Sequence, residues 1–219
     1  IITGYNIFGF DDSFMYYRAK ELECLEEFLS MGRIVNTPSK LILKQLSSSA
    51  LGDNYMYIIE MKGIVKIDLL KVAQGFKLNS YKLDSVAEHF ISGKIKDIYK
   101  DKANRSCLKI ENSQELETGN FIIISFTKDG DQFMGGKKIK IMDINDNIIT
   151  IDSKIDIPED CIDRKPIWGL GKDDVSPKDI FRLQKEGSAE RKIVAVYCIQ
   201  DCALLIRLMQ KLDIITNNM

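Results

Sequence analysis

The sequence predicts an α/β fold: a discontinuous core, residues 1–100 and 166–219, carrying an inserted β-rich module at residues 101–165. Two observations point there. Strand-like runs and helically spaced apolar residues occur together in the first hundred residues, and helical spacing returns after Trp168. Between these stretches it vanishes, from about Asp101 to Lys165, where short β-prone runs are divided by Gly, Asp and Asn turns. A chain of 219 residues, 45% hydrophobic and 29% charged, has the length and composition for a globular core with an insert.

The elements follow in order. Ile1 to Asn6 is short, apolar and rich in strand formers. After a turn region (Gly9, Asp11, Asp12), Phe14, Tyr17, Leu22, Leu25, Phe28 and Leu29 predict one helix from about Ser13 to Met31, stopped by Gly32. Asn36 to Asn54 is polar and Ser-rich (Ser47, Ser48, Ser49) and reads as a loop. Tyr55–Glu60 and Ile64–Leu69, joined by Met61-Lys62-Gly63, read as a hairpin. Asn79 or Ser80 caps a helix burying Leu83, Val86, Ala87 and Phe90. Within the insert, Leu108–Ile110, Phe121–Phe126, Lys138–Met142 and Ile148–Ile151 are four strands, with Asp146-Asn147 at a hairpin turn, a pattern compatible with a barrel. Ser176-Pro177-Lys178-Asp179 is a capping box opening a helix that Gly187 ends, and Ser188 caps an apolar helix running to about Leu212.

Composition excludes little. A formal charge of −1 carries no nucleic-acid signature, although a pocket that gathers metal ions is acidic by necessity. Five cysteines (Cys24, Cys107, Cys161, Cys198, Cys202) without zinc or redox spacing fit a reducing, intracellular compartment. No apolar run is expected to reach transmembrane length, so no membrane association is expected. The chain opens inside a strand without an initiator Met, as a piece of a longer protein would.

Two acids stand out. Asp11 ends the first strand unit, where α/β folds place their sites at the sheet edge; the other reading is a helix-start acid favoured by the dipole. Asp201 interrupts the apolar run Ile193 to Ile206, a costly place for a carboxylate unless it is paired or metal-bound. Tyr197, four residues earlier, shares its helical face, so a buried Tyr–Asp hydrogen bond and a functional pair are both open. Tyr5, Phe8 and Phe10 have the chemistry to stack on unpaired bases, with core packing as their other use. Asp68 and the lone His89 read as structural, and Lys137-Lys138 as solvated surface.

Taken together, Asn6-Ile7-Phe8-Gly9-Phe10-Asp11 and Tyr197-Cys198-Ile199-Gln200-Asp201 resemble the second and third exonuclease motifs of family B DNA polymerases. Lys62 to Leu70 and Ser80 to Val86 resemble the blocks between them. The insert, followed by Lys172-Asp173-Asp174-Val175-Ser176-Pro177, looks most like polymerases of large nucleocytoplasmic DNA viruses. The resemblance implies a ribonuclease H-like exonuclease core that removes mismatched 3′ nucleotides during DNA replication. In that scheme Asp11 and Asp201 are metal-holding carboxylates, Tyr197 orients the attacking water, and Asn6 and Phe10 hold the substrate. The cofactor implied is Mg²⁺ or Mn²⁺, two ions in the intact parent domain. The implied partners are a single-stranded 3′ primer end of DNA, the rest of the polymerase chain and a processivity factor. The implied place is intracellular, in the nucleus or a cytoplasmic viral replication site. The family's other two carboxylates come from an Asp-x-Glu motif that does not precede Asp11 here, so the chain alone is expected to be inactive. The rival functions are another two-metal 3′→5′ exonuclease and a degenerate fold acting as a non-catalytic scaffold.

Overall fold

The computed structural model describes residues 1–48, 52–102, 104–126, 131–132, 136–155, 165–171 and 175–217. Ser49, Cys161 and the stretch Lys172-Asp173-Asp174 lie outside the described residues. The architecture is mixed α/β, as expected. The chain forms two compact units, Ile1–Asn79 and Ser80–Met219.

In the first unit, β1 (Ile2–Gly4) pairs in parallel with β4 (Lys66–Asp68), with Gly4 opposite Asp68. Between them run α1 (Asp11–Glu21), α2 (Leu25–Leu29) and an antiparallel pair, β2 (Lys40–Ser48) with β3 (Gly52–Glu60). A short α3 (Leu69–Ala73) follows β4. Ile7, Ala19, Met56, Ile59, Met61, Leu69 and Ala73 form the buried core.

Three expectations are corrected here. The single helix from Ser13 to Met31 is two, because Glu23 takes a left-handed backbone (φ 57°). Cys24 N–H then donates to the Ala19 carbonyl and Glu23 N–H to that of Lys20, both at helix-terminating spacing. The polar stretch read as a loop contains β2: Leu41 lies opposite Ile59 and Leu43 opposite Tyr57, so cross-strand packing outweighs the polar composition. The hairpin read across Met61-Lys62-Gly63 is not formed. The turn exists, with Gly63 at φ 79°, but the strand before it pairs with β2 and the strand after it with β1.

The second unit opens with α4 (Leu83–Phe90), whose Val86 and Ala87 are buried as expected. There follow β5 (Ser92–Lys100), β6 (Ser106–Ile110), β7 (Phe121–Phe126), β8 (Asp131–Gln132), β9 (Ile139–Asn145), β10 (Ile148–Ile151) and β11 (Pro166–Gly171). The sheet order is β11-β5-β6-β10-β9-β7, and β7 pairs again with β11, closing an antiparallel six-stranded barrel with β8 attached to β7. Leu108, Ile110, Ile122, Ile124, Ile139, Ile141, Ile149 and Trp168 are each at most 2% exposed, so side chains fill the barrel. The four expected strands are all present, and Asp146 (φ 50°) turns the β9–β10 hairpin. The two strands that close the ring, β5 and β11, were not expected.

The chain ends in α5 (Pro177–Lys185), α6 (Ser188–Lys211) and α7 (Ile214–Asn217). Ser176 Oγ accepts from Asp179 N–H at 3.2 Å with Pro177 at the first turn, the capping box read from sequence. The expectation of no membrane-length apolar run does not hold for α6, which contains an 18-residue window of mean hydropathy 1.5. By length and composition that helix is able to cross a membrane, a test that core helices of soluble proteins also pass.

Candidate functional site

In the first unit the loop 5–10 hangs from one carboxylate. Asp68, 3% exposed, accepts from the backbone N–H of Asn6 (2.8 Å), Phe8 (3.2 Å) and Leu70 (3.0 Å). The last of these caps α3. Asp68 is therefore structural, as its sequence context suggested. Asn6 takes a left-handed backbone (φ 62°), a conformation Asn tolerates. Its side-chain oxygen lies against Gly9, where an added Cβ would come within 2.3 Å, so a larger residue there would displace the Asn6 side chain.

That loop delivers Asp11 to the first position of α1. Its carboxyl is pushed above the ordinary range, first by burial and then by the neighbouring carboxylates of Asp12 and Asp68, with a backbone hydrogen bond opposing. A site that disfavours a second negative charge in this way is one whose ionised form a cation would stabilise. Asp12 has the opposite environment. It is 1% exposed, accepts from Ile59 N–H at 2.8 Å and forms an ion pair with the Lys66 ammonium. The Lys66 ammonium also sits 5.7 Å from the centre of the Phe8 ring. This pair was missed in the sequence. Its available signal was a lysine interrupting the apolar strand Ile64-Val65-Lys66-Ile67.

The three aromatic candidates divide. Phe8 packs beneath Lys66, and Tyr5 is half-buried, its phenol pushed up to about 12 by burial and by Asp68. Phe10 is 60% exposed and stacks on Phe14 with ring centres 5.6 Å apart. With Phe14, Tyr17 and Arg18 it lines a shallow recess.

In the second unit, Tyr197 and Asp201 lie on α6 in one stripe with the buried Val194, Leu204 and Leu208. Both are half-buried and both are engaged in interactions. Their shared face, expected from the four-residue spacing, is present. On the other faces Cys198 and Cys202 are exposed free thiols. His89 is exposed and lies edge-on to Phe90, with no feature of a general base. Lys138, read as solvated surface, reaches Asp84 on α4 at 3.9 Å. Among the described residues no three His, Cys, Asp or Glu side chains gather as a ligand set. The carboxyl oxygens of Asp11 in the first unit and of Asp201 in the second are each donors of the kind a hard divalent ion takes.

Residues 1–86 match the model of the family described as DNA polymerase family B, exonuclease domain. The chain is 43% identical over its full length to a DNA polymerase of Pyramimonas orientalis virus, of which it covers 17%. It is 34% identical over 99% of its length to a DNA polymerase of Phaeocystis pouchetii virus, covering 22% of that protein. A DNA polymerase delta catalytic subunit of Dictyostelium discoideum is 38% identical over 45% of the chain, which is 9% of that protein. The chain thus spans less than a quarter of the length of these curated relatives.

Proposed function

Because this chain belongs to the family B DNA polymerases, with residues 1–86 in their exonuclease domain, we propose that it supplies most of a 3′→5′ proofreading exonuclease of ribonuclease H-like fold. Asp11 and Asp201 are then two of the carboxylates that hold Mg²⁺ or Mn²⁺. Bound divalent ions would activate water and neutralise charge at the phosphodiester. Tyr197 would orient the attacking water through its hydroxyl. Asn6 would hold the terminal nucleotide, with the exposed ring of Phe10 stacking on an unpaired base. The substrate is a single-stranded 3′ primer end of DNA, and the remaining partners are the rest of the polymerase chain and a processivity factor. The setting is intracellular replication, and no membrane is involved.

The observation that carries this reading is Asp11 itself. It stands in the family-matched segment, at the start of a helix, held by a loop tied to Asp68 at two points, with its carboxyl pushed toward the protonated form by burial and by two neighbouring acids. The paired face of Tyr197 and Asp201 on α6 supports it from the other motif.

The test is digestion of a mismatched primer end by the full-length polymerase. Misplacing reacting groups by about 1 Å costs roughly a hundred-fold in rate, so Asp11→Ala and Asp201→Ala should each lose at least that much while polymerisation persists. The chain alone, with two family-matched carboxylates, should bind metal weakly and digest little. A brisk nuclease rate from the isolated 219-residue chain, abolished by Asp201→Ala, would overturn that part.

A further inference from the structure

We propose that Arg207 is a positioning residue that locks the helix bearing Tyr197 and Asp201 onto the inserted barrel, making the barrel a strut for the exonuclease site. The inference rests on the roles proposed above for those two residues. The Arg207 guanidinium reaches three acceptors on the connection between β6 and β7. Nη1 donates to the Glu115 carbonyl and to Asn120 Oδ1, both at 3.4 Å, and Nη2 donates to Glu117 Oε1 at 2.6 Å. One turn further on, Lys211 Nζ donates to Glu115 Oε1 at 2.8 Å. A planar fork that reaches several acceptors fixes direction as well as distance, which a single ammonium does not. The Arg207 side chain is 28% exposed and its partner Glu117 71%, so the tie draws on the fork's geometry more than on charge attraction.

The receiving loop is itself fixed. Glu117 N–H donates to Asn120 Oδ1 and Asn120 N–H to the Glu117 carbonyl, both at 3.0 Å. Gly119 N–H donates to the Ile141 carbonyl at 2.9 Å, and Ile141 N–H returns to the Asn120 carbonyl at 2.8 Å. Ser113 is tied to the β9–β10 turn through Asp146 and Asn147, and Leu116 is buried. The three acceptors therefore move with the barrel wall.

A cleft of about 300 Å³ separates Ile199, Gln200 and Ala203 from Phe121, Leu170 and Gly171. The buried Leu204 and Leu208 hold α6 by apolar packing, and the polar fork adds a directional tie between the helix and the barrel. Arg207 stands six residues beyond Asp201, about 9 Å along the axis, and a continuous helix passes a slip at one to the other.

The test is a charge exchange in the full-length polymerase, comparing Arg207→Glu, Glu117→Arg and the double variant. Arg207→Glu should lower exonuclease kcat roughly ten- to hundred-fold with KM nearly unchanged and polymerisation intact. The double variant should recover most of that loss. Amide hydrogen exchange over residues 195–206 should rise in each single variant and fall back in the double. Arg207→Lys, which keeps the charge and loses the fork, should show a smaller loss of the same kind and serves if Arg207→Glu fails to fold. An unchanged kcat in Arg207→Glu, or a kcat not recovered when exchange is, overturns the proposal. Asp201→Ala separates the two readings. If it leaves the exonuclease intact, the nuclease assignment fails, and the clamp is then supported or overturned by the exchange pattern alone.

Discussion

Asp11 and Asp12 are adjacent acids with opposite surroundings, and the difference shows how tertiary partners assign roles to like residues. Asp12 is buried against Lys66 and the Ile59 N–H, while among the described residues no cation offsets the burial of Asp11 beside Asp12 and Asp68. Removing one partner of a buried ion pair strands the other charge, so Lys66→Met should destabilise the first unit by roughly 3–5 kcal/mol in denaturant titrations. A change below about 1 kcal/mol would mean that the pair behaves as a solvated one. This is also where the sequence was only half legible. The motif around Asn6 singled out Asp11, and the four-residue spacing placed Tyr197 beside Asp201. Asp12 escaped notice because a helix-start acid looks the same in sequence whether it meets solvent or a lysine 54 residues away.

At the scale of elements, β11 and α4 pack closely. A Cβ added at Gly169 would lie 2.8 Å from the Glu88 carbonyl oxygen and 2.6 Å from its Cγ, and the backbone oxygen cannot swing aside. Gly169→Ala should therefore cost about 1–3 kcal/mol through overpacking, read as a lowered melting temperature. Elements with a local signature were legible: the Ser176–Asp179 capping box, the Asp146-Asn147 turn and the four apolar strands of the insert. Those fixed by distant partners were not. β2 exists because Leu41 and Leu43 find Ile59 and Tyr57 across the ladder. β5, interrupted by Lys94, Lys96 and Asp97, gains its identity from β6 and β11 on its two sides. The break after α1 was hidden because a glutamate, Glu23, occupies the left-handed position where glycine is the usual signal.

For the whole molecule, two units with separate cores imply two cooperative transitions. Calorimetry should show Lys66→Met moving one transition and Gly169→Ala the other; a single transition shifted by both would contradict this. The barrel's entry and exit lie side by side. Ser92 lies opposite Gly169, and the Leu170 N–H donates to the Ile91 carbonyl at 2.8 Å, so the chain leaves the barrel beside the place where it entered. The gap left by excising everything between is one that a two-residue turn spans. Removing residues 92–169 would thus leave two chain ends that already meet, much as a side pavilion shares one doorway with the house.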